Sequence, residues 1–202
     1  MSSGARSDEG IAVVLALVVV LLLAALAFAT VMTTDVERMS AASEPNRLAV
    51  AYAADAALER AIQDLQAPPD WTSALGGGVT SALREGGATM WGQTTDLAAM
   101  TSELQAETDA AEARGADTTR WQLFLSGTLS AMVPGRPREV LPYLVAWVGD
   151  DLAESDGNPM VDSNRTIRVH ARAVGPRDTR ADREAVLRRD EDGGVGRVVE
   201  WR

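Results

Sequence analysis

Apolar residues fill the chain from position 11 to position 32 without a single charge between them. Of these 22 residues, 14 are Ile, Val, Leu or Phe, six are Ala, and Thr30 is the polar exception. As a helix, the run would measure about 33 Å, slightly more than a hydrocarbon thickness of about 30 Å. Its transfer into lipid is favourable by about 4–8 kcal/mol. The pattern therefore predicts a membrane-spanning helix over residues 11–32.

Beyond the membrane segment, apolar residues recur mostly at steps of three and four over residues 33–67, which predicts that the helix continues. The members of this stripe are Val36, Met39, Leu48, Tyr52, Leu58, Ile62 and Leu65. Pro45 removes a backbone hydrogen bond, so we expect either a kink or two helices hinged there. Pro68 and Pro69 would end the helix. A single helix over residues 11–66 would be about 84 Å long.

Residues 68–202 are expected to form a globular domain. Its glycine-rich beginning, residues 70–94, is expected to be a loop. Thr95 or Asp96 can cap a second helix that continues to about residue 114. Its apolar face would carry Leu97, Met100 and Leu104. Its acidic residues are expected to form a solvated face, consisting of Glu103, Glu107, Asp109 and Glu112.

Alternating and continuous apolar runs predict an antiparallel sheet in the rest of the chain. The expected strands cover residues 120–125, 128–133, 140–148, 166–174, 184–188 and 197–201. Ser126 and Gly127 are expected to form a two-residue hairpin turn between the first two strands. In the fourth strand the residues expected to point outward are Thr166, Arg168, His170 and Arg172. A long helix packed on this sheet gives an α+β fold.

Composition excludes several kinds of chemistry. The chain has no cysteine and one histidine, His170, which excludes disulfides, thiolate metal sites and a histidine-rich zinc site. A net charge of −10 argues against general nucleic-acid binding, because phosphate contacts need clustered positive charge. His170 is expected to be a neutral surface residue, since no acid or nucleophile is spaced to partner it. We therefore expect no enzyme activity and no catalytic residue.

Two surface features remain as candidates for binding. Arg165, Arg168 and Arg172 could contact an acidic neighbour from another subunit, although a solvated strand face is the favoured interpretation. The stretch at residues 149–164 carries seven carboxylate or amide side chains, enough for the six to eight oxygens that calcium takes. The candidate ligands are Asp150, Asp151, Asp156, Asn158 and Asp162. The spacing is not that of an EF-hand, and a solvated turn-rich loop is the favoured alternative.

The first ten residues, MSSGARSDEG, form a short polar leader that ends in Gly10 directly before the apolar run. This junction resembles the class III signal of prepilins, in which a membrane peptidase cuts after the glycine, here between Gly10 and Ile11. The sequence RLAVAYAADAALERAIQDL at residues 47–65 resembles the segment that follows the membrane helix in PilX-type minor pilins. The resemblance covers residues 4–66, about a third of the chain.

The resemblance implies a minor pilin with a pilin-like fold, which joins or primes a type IV pilus-type filament. Its implied regions are a leader at residues 1–10, an assembly helix at residues 11–32, a helix continuation at residues 33–67 and a head at residues 68–202. The implied partners are a prepilin peptidase, other pilins along the N-terminal helix, a pilus assembly platform and the membrane. The protein would cross the cytoplasmic membrane once, with its head extracytoplasmic, and later enter a cell-surface filament. No cofactor is expected apart from the calcium already considered.

One departure from the family pattern is Leu15, because most major pilins carry a glutamate at this fifth mature position. The departure favours a minor component over the bulk subunit of the fibre. Two alternatives stay open, namely a K-type minor pseudopilin of a type II secretion system and a single-pass, signal-anchored extracytoplasmic protein. A cleaved secretory signal is less favoured, because its apolar core usually has about 7–15 residues.

Overall fold

The computed structural model of the chain describes residues 5–112, 118–132, 141–154, 156–190 and 196–201. The chain divides into two compact units, Met1–Pro45 and Asn46–Arg202, and each is described by itself. Helix α1 (Ala5–Asp64) begins in the first unit and ends in the second.

In the first unit, the apolar run is helical as predicted, and α1 already begins at Ala5 within the predicted leader. The segment Val13–Thr30 is long and apolar enough to cross a membrane, and all of its side chains are exposed. The Thr30 hydroxyl donates to the backbone carbonyl of Ala27 at 2.8 Å. This hydrogen bond satisfies the one polar side chain of the segment within the helix, as a hydrocarbon environment requires.

The C-terminal end of α1 is fixed by side chains that bind the carbonyl group of the residue just after it. Pro45 lies inside α1, so the chain forms one helix here and not two, and the helix ends at Asp64, close to the predicted position. The carbonyl of Leu65 accepts hydrogen bonds from Trp71 Nε1 at 2.9 Å and from Arg189 Nη2 at 2.7 Å. Carbonyl groups at a helix end lack partners within the helix, so these bonds stabilise the end of α1.

The second unit continues α1 with an α+β arrangement of short helices and one main sheet, as predicted. Its further elements are α2 (Thr72–Leu75), β1 (Thr89–Met90), β2 (Gln93–Thr94), α3 (Leu97–Ala111), β3 (Gln122–Thr128), α4 (Leu129–Met132), β4 (Tyr143–Asp150), β5 (Thr166–Val174), β6 (Arg180–Arg188) and β7 (Arg197–Trp201). Strands β3 to β7 form a five-stranded antiparallel sheet in chain order. The bounds of β5 and β7 are those predicted, whereas β6 begins four residues earlier than expected.

The predicted hairpin turn at Ser126 and Gly127 is wrong. Strand β3 continues through both residues, and α4 follows where a second strand was expected. The amide of Glu85 donates to the carbonyl of Ser126 at 2.7 Å, so the free edge of β3 is also occupied. A Cβ atom on Gly127 would lie 2.8 Å from Leu83 Cδ1. Gly127 is therefore a position where Leu83 packs closely on a continuing strand, and the chain does not turn there.

The segment between α1 and α3 is more ordered than the expected loop, because it holds α2 and the β1–β2 hairpin. The start of α3 is as predicted, since Asp96 Oδ1 accepts from the amides of Ala98 and Ala99, each at 3.0 Å. This is the arrangement of an N-cap. The helix ends at Ala111, and the expected end near residue 114 lies outside the described residues.

One face of the sheet packs against the part of α1 that belongs to the second unit. The buried residues of α1 are small or apolar, namely Val50, Ala53, Ala54, Ala57, Leu58 and Ala61. They meet the apolar side chains of the strands, including Leu144, Ala146, Val148, Ile167, Val169, Ala171, Ala185 and Leu187. At the border of this face, Arg183 Nε donates to Asp55 Oδ1 at 2.5 Å. The alanines let helix and sheet approach closely, and this face is the main core of the unit.

Candidate functional site

Strand β4 ends at Asp150, the first of the five residues predicted as calcium ligands, and the loop after it contains the other four. Asp150, Asp151 and Glu154 form a group, here called the carboxylate cluster, in which one oxygen of each lies within 4.8 Å of the others. Their exposed fractions are only 1%, 9% and 7%, respectively. The structure thus brings together two of the five predicted ligands and adds Glu154 to them.

The other three predicted ligands bind the local backbone. Asp156 Oδ1 accepts from the amide of Asn158 at 2.9 Å, and Asn158 Oδ1 accepts from the amide of Met160 at 3.3 Å. Asp162 Oδ1 accepts from the amide of Thr166, the first residue of β5, at 3.1 Å. Burial raises the pKa of Asp162 to about 6, although backbone hydrogen bonds oppose the shift. These contacts are typical of turns, and Asp156 and Asn158 lie exposed outside the cluster.

Hydrogen bonds from the end of the loop hold the carboxylate cluster in place. Glu154 Oε1 accepts from the amide of Ser163 at 2.5 Å and also from its hydroxyl. Asn164 Nδ2 donates to Asp151 Oδ1 at 2.7 Å. Two buried oxygen atoms beside these contacts, Glu154 Oε2 and Asn164 Oδ1, have no hydrogen-bond partner. The loop therefore fixes three carboxylates close to one another.

The electrostatics of the carboxylate cluster are unfavourable for three separate negative charges. Burial is the main cause that raises the pKa of Asp150 to about 8, and a hydrogen bond with the carboxyl group of Glu154, followed by the charge of Glu154, raises it further. None of the ion pairs found among the described residues involves Asp150, Asp151 or Glu154. A cation at this place would offset the repulsion, so the arrangement is chemically suited to binding one.

The second face of the sheet carries polar side chains of β5 that were expected to be solvated, and that expectation is wrong. The side chains of Arg168, His170 and Arg172 are only 9%, 12% and 5% exposed. The acidic residues of α3 were also expected to be solvated, and those that contact the arginines remain partly exposed. Glu112, just after α3, also contacts an arginine but is largely buried. Pairing of opposite charges makes burial of this polar face tolerable. We call these groups the ionic network: Arg168, His170, Arg172, Glu103, Glu107, Glu112, Asp182 and Glu184.

Arg168 lies at the centre of the ionic network. Its Nε and Nη2 donate to Glu184 Oε1 at 3.0 and 2.9 Å. Its Nη1 donates to Glu112 Oε1 and, at 2.9 Å, to the hydroxyl of Thr119. The guanidinium carbon also lies 5.2 Å from the ring centre of Trp121, within the range of a cation–π contact. Arg168 thus joins strand β6, the end of α3 and an aromatic ring of the core.

Arg172 makes the corresponding contacts nearer the start of α3. Its Nε donates to Asp182 Oδ1 at 2.6 Å, and its Nη1 donates to Glu103 Oε2 at 3.2 Å. Its Nη2 lies 3.5 Å from Glu107, which follows Glu103 by one helical turn. Arg180 Nη1 also donates to Glu103 Oε1 at 3.1 Å. Acidic residues of α3 and arginines of the sheet were visible in the sequence, but their pairing over more than 60 positions was not.

His170 is buried between acids and aromatic rings, so the prediction of a surface histidine without an acidic partner is wrong. Its Nε2 lies 3.1 Å from Asp182 Oδ1, and its Nδ1 lies 3.5 Å from Glu184 Oε2. The rings of Trp121 and Trp147 lie 5.7 and 6.0 Å away between centres. Burial by itself would lower the pKa of His170, but the hydrogen bonds to the two acids outweigh it and raise that pKa above 6.5.

The predicted processing residues, Gly10 and Ile11, both lie within α1, and the surroundings of these two positions are outside the described part of the chain. Comparisons with protein-family models, with curated proteins and with solved structures find no match to this chain. The function therefore has to be argued from the chain's own residues, above all from α1.

Proposed function

We propose that the chain is a minor pilin of the PilX type, which joins a type IV pilus-type filament or primes its assembly. The observation that carries the proposal is that a single helix, α1, has two different surfaces. Residues Val13–Thr30 expose apolar side chains all round, whereas the Ala-rich face from Val50 to Ala61 is buried against an antiparallel sheet. A helix that only tethers a domain needs no such continuation into the core. The α+β arrangement of the second unit is compatible with a pilin-like head.

The proposed processing step is hydrolysis of the peptide bond between Gly10 and Ile11 by a prepilin peptidase. It would remove the leader, which carries Arg6, Asp8 and Glu9, and leave the amine of Ile11 at the start of the apolar helix. Loss of these charged groups lowers the barrier to moving the helix out of the bilayer, because charges cross hydrocarbon poorly.

In the proposed assembly step, the exposed apolar surface of Val13–Thr30 exchanges lipid for the helices of other pilins. Lipid tails and apolar side chains are equally apolar, so this exchange has little hydrophobic driving force of its own. An assembly platform powered by ATP would therefore have to extract the subunit. Leu15 offers no carboxylate to the amine of a neighbour, which supports a position at the tip or in initiation over one in the shaft.

Mass spectrometry of the N-terminus in the native host tests the proposal. We expect a chain that begins at Ile11, and we expect Gly10→Val to leave the chain uncut. Gly4→Val is the matched control, because it changes another glycine of the same leader away from the junction and should be processed normally. Sheared filaments should contain the mature chain at a substoichiometric level.

Two results would contradict the proposal. The first is an intact leader in cells that make functional filaments, and the second is a mature chain that never enters sheared filaments. Either result would favour a signal-anchored extracytoplasmic protein, in which α1 serves only as a tether.

A further inference from the structure

Helix α3 is held on the sheet by polar contacts as much as by apolar ones. Only two of its residues, Leu104 and Thr108, are buried. The hydroxyl of Thr108 accepts a hydrogen bond from Trp121 Nε1 at 2.7 Å, and the hydroxyl of Thr101 accepts one from Trp147 Nε1 at 2.8 Å. An element with few buried apolar contacts opens at a lower free energy than the core around it. We therefore expect α3 to leave the sheet more easily than the α1 segment of the second unit, whose buried residues are all apolar.

On the face that α3 covers, both ring nitrogens of His170 face carboxylate oxygens. Its Nε2 lies 3.1 Å from Asp182 Oδ1, and its Nδ1 lies 3.5 Å from Glu184 Oε2. A neutral imidazole donates from one nitrogen and presents a lone pair at the other, whereas the imidazolium donates from both. The protonated ring therefore satisfies both carboxylates. Loss of its proton turns one of the two contacts into a repulsion between lone pairs.

The two acids that face His170 also bind the arginines that reach α3. Asp182 Oδ1 contacts both His170 Nε2 and Arg172 Nε, the latter at 2.6 Å. Glu184 faces His170 through one carboxylate oxygen and accepts from Arg168 through the other. A change in the charge of His170 is therefore felt directly by the partners of Arg168 and Arg172.

The charge balance of the ionic network makes the proton of His170 matter for α3. The network holds five carboxylates and two arginines, so the imidazolium supplies its third positive charge. Glu103 and Glu107 reach the network from α3, and Glu112 reaches it from just after the helix. Arg180 adds a contact to Glu103, but it is 40% exposed, so water weakens that pair. Without the imidazolium, the two arginines are shared among all five acids, and α3 is held less tightly.

We propose that α3 is a pH-controlled lid over the second face of the sheet, closed while His170 is protonated and loosened when its imidazole is neutral. Loosening would give water access to the buried rings of Trp121 and Trp147, while the α1 face stays closed. The inference rests on the second unit alone and does not depend on the proposed function.

The direction of the response follows from the pKa of His170. Burial alone would lower this pKa, but the hydrogen bonds to Asp182 and Glu184 hold it above 6.5 in the closed state. With α3 open, water solvates the ring and its acids, and the pKa returns toward its ordinary value of about 6.5. The proton therefore favours the closed state. The lid is closed in mildly acidic solution and loosens as the pH rises through the folded value.

Other groups near the sheet titrate as well, but they do not mimic this response. Burial acts to raise the pKa of Asp182 and Glu184, but their bonds to His170 and to the arginines lower it, so both stay ionised above about pH 5. Burial is the main cause that raises the pKa of Asp162 to about 6 and that of Asp150 to about 8. Both belong to the β4–β5 connection and are unchanged in the variants below, so their effect is common to all chains compared.

Hydrogen–deuterium exchange of the full chain in detergent micelles, read by peptide mass, tests the proposal. After correction for the intrinsic pH dependence of exchange, we expect the protection of α3 amides to fall about tenfold from about pH 5.5 to about pH 9. At both pH values, α3 should exchange at least about tenfold faster than β4 and β5, because it opens while the sheet stays folded.

Two variants separate the proton of His170 from a general loosening of α3. His170→Gln carries no charge at any pH, so its α3 amides should show low protection that does not change between the two pH values. The matched control is Gln105→Ala, which removes neutral contacts of α3 to the amide of Trp121 and the carbonyl of Thr119. This control should lower the protection of α3 at both pH values and keep the tenfold difference between them.

Three results would overturn the proposal. They are α3 protection that does not change with pH in the natural chain, a pH difference that persists in His170→Gln, and α3 amides that exchange as slowly as those of β4 and β5 at both pH values. Should His170→Gln fail to fold, Asp182→Asn replaces it in a full pH series. Loss of the acid beside Nε2 should move the midpoint of α3 loosening to lower pH, and an unmoved midpoint also overturns the proposal.

Discussion

The two faces of the main sheet are buried in different ways, although they are built from the same strands. On β4, Leu144, Ala146 and Val148 point to the α1 face, whereas Tyr143, Val145 and Trp147 point to the α3 face. On β5 the contrast is sharper, because Ile167, Val169 and Ala171 face α1, whereas Arg168, His170 and Arg172 face α3. The α1 face is closed by small apolar residues, and the α3 face is closed by paired charges over tryptophan rings.

The difference teaches that burial on the two faces has different physical requirements. The α1 face depends on volume, since Ala53, Ala54, Ala57 and Ala61 are each at most 1% exposed and leave no room for larger groups. The α3 face depends on protonation and geometry, since its buried charges are tolerated only while each has a partner. Four changes, taken from the largest expected effect to the smallest, separate the two requirements.

Arg168→Met should cause the largest loss, because it leaves Glu112 and Glu184 buried without their shared cation. We expect the free energy of unfolding to fall by about 3–5 kcal/mol. Urea unfolding of the full chain in detergent, followed by tryptophan fluorescence, measures it. Arg197→Met is the matched control, because Arg197 and its partner Asp190 are 64% and 56% exposed, and it should cost less than about 1 kcal/mol. Equal losses in the two variants would contradict the buried-pair interpretation.

Leu58→Ala tests the volume requirement of the α1 face. Leu58 is 1% exposed, so the change leaves a cavity and should lower the free energy of unfolding by about 2–5 kcal/mol. The same urea titration is the measurement, repeated at pH values on both sides of neutrality. The loss should not depend on pH, because no titratable group is involved. Leu48→Ala, at a residue of the same helix that is 49% exposed, serves as the control and should have a much smaller effect.

Gly175→Ala tests the volume requirement from the strand side. A Cβ atom at position 175 would lie 2.4 Å from Val50 Cγ2, and a valine side chain cannot easily rotate away. We expect a loss of about 1–3 kcal/mol from overpacking. In the Val50→Ala background, Gly175→Ala should cost less stability than it does in the natural chain, because the crowding methyl group of Val50 is gone. A double-mutant cycle measures this difference. Strict additivity of the two changes would show that the contact with Val50 is not the cause.

His170→Gln should have the smallest effect, on the order of 1 kcal/mol, and a distinctive pH dependence. The raised pKa of His170 means that its contribution is fully present below about pH 6.5 and is lost as the pH rises through the folded value. Burial would raise the pKa of Asp182 and Glu184, but their bonds to His170 and to the arginines lower both. The stability that Asp182 and Glu184 contribute is therefore lost only in acid, as the pH falls through their lowered pKa values.

The difference in stability between the natural chain and His170→Gln should thus be largest from about pH 5 to 6.5 and should shrink at alkaline pH. Arg168 and Arg172 face the same acids in the natural chain and in the variant. His170 is the only histidine of the chain, so no other imidazole contributes to the difference. A difference that stays constant from acid to alkaline pH would show that protonation of His170 does not stabilise the α3 face.

Several elements could be predicted because their signals are local. The bounds of β5 follow from nine residues of alternation, and the start of α3 follows from the Asp96 side chain, which binds amides only two and three residues away. The turn at Ser126 and Gly127 was predicted from the same kind of signal and is wrong. There the deciding contacts come from Leu83 and Glu85, about 40 positions earlier in the chain. Local patterns fail where distant residues compete for the same backbone.

The candidate site shows the same limit. A loop rich in oxygen-bearing side chains could be recognised from composition, and the structure brings two of its predicted members, Asp150 and Asp151, close to Glu154. The selection of Glu154 over Asp156 and Asn158 could not be predicted, because it depends on Ser163 and Asn164 folding back onto the loop. A residue that binds the backbone within a turn and a residue that joins a cluster of carboxylates are of the same types. The sequence therefore does not distinguish the two roles.

By itself, the sequence determined the helix with a segment long and apolar enough to cross a membrane, the α+β class and the alternation of β5, because each depends on the chemistry of neighbouring residues. Only the tertiary structure decided that the polar face of β5 is buried. Alternation separates two faces of a strand, but it does not say which face meets water. Here α3 brings Glu103, Glu107 and Glu112 to the arginines, and the paired charges take the place that solvent was expected to hold.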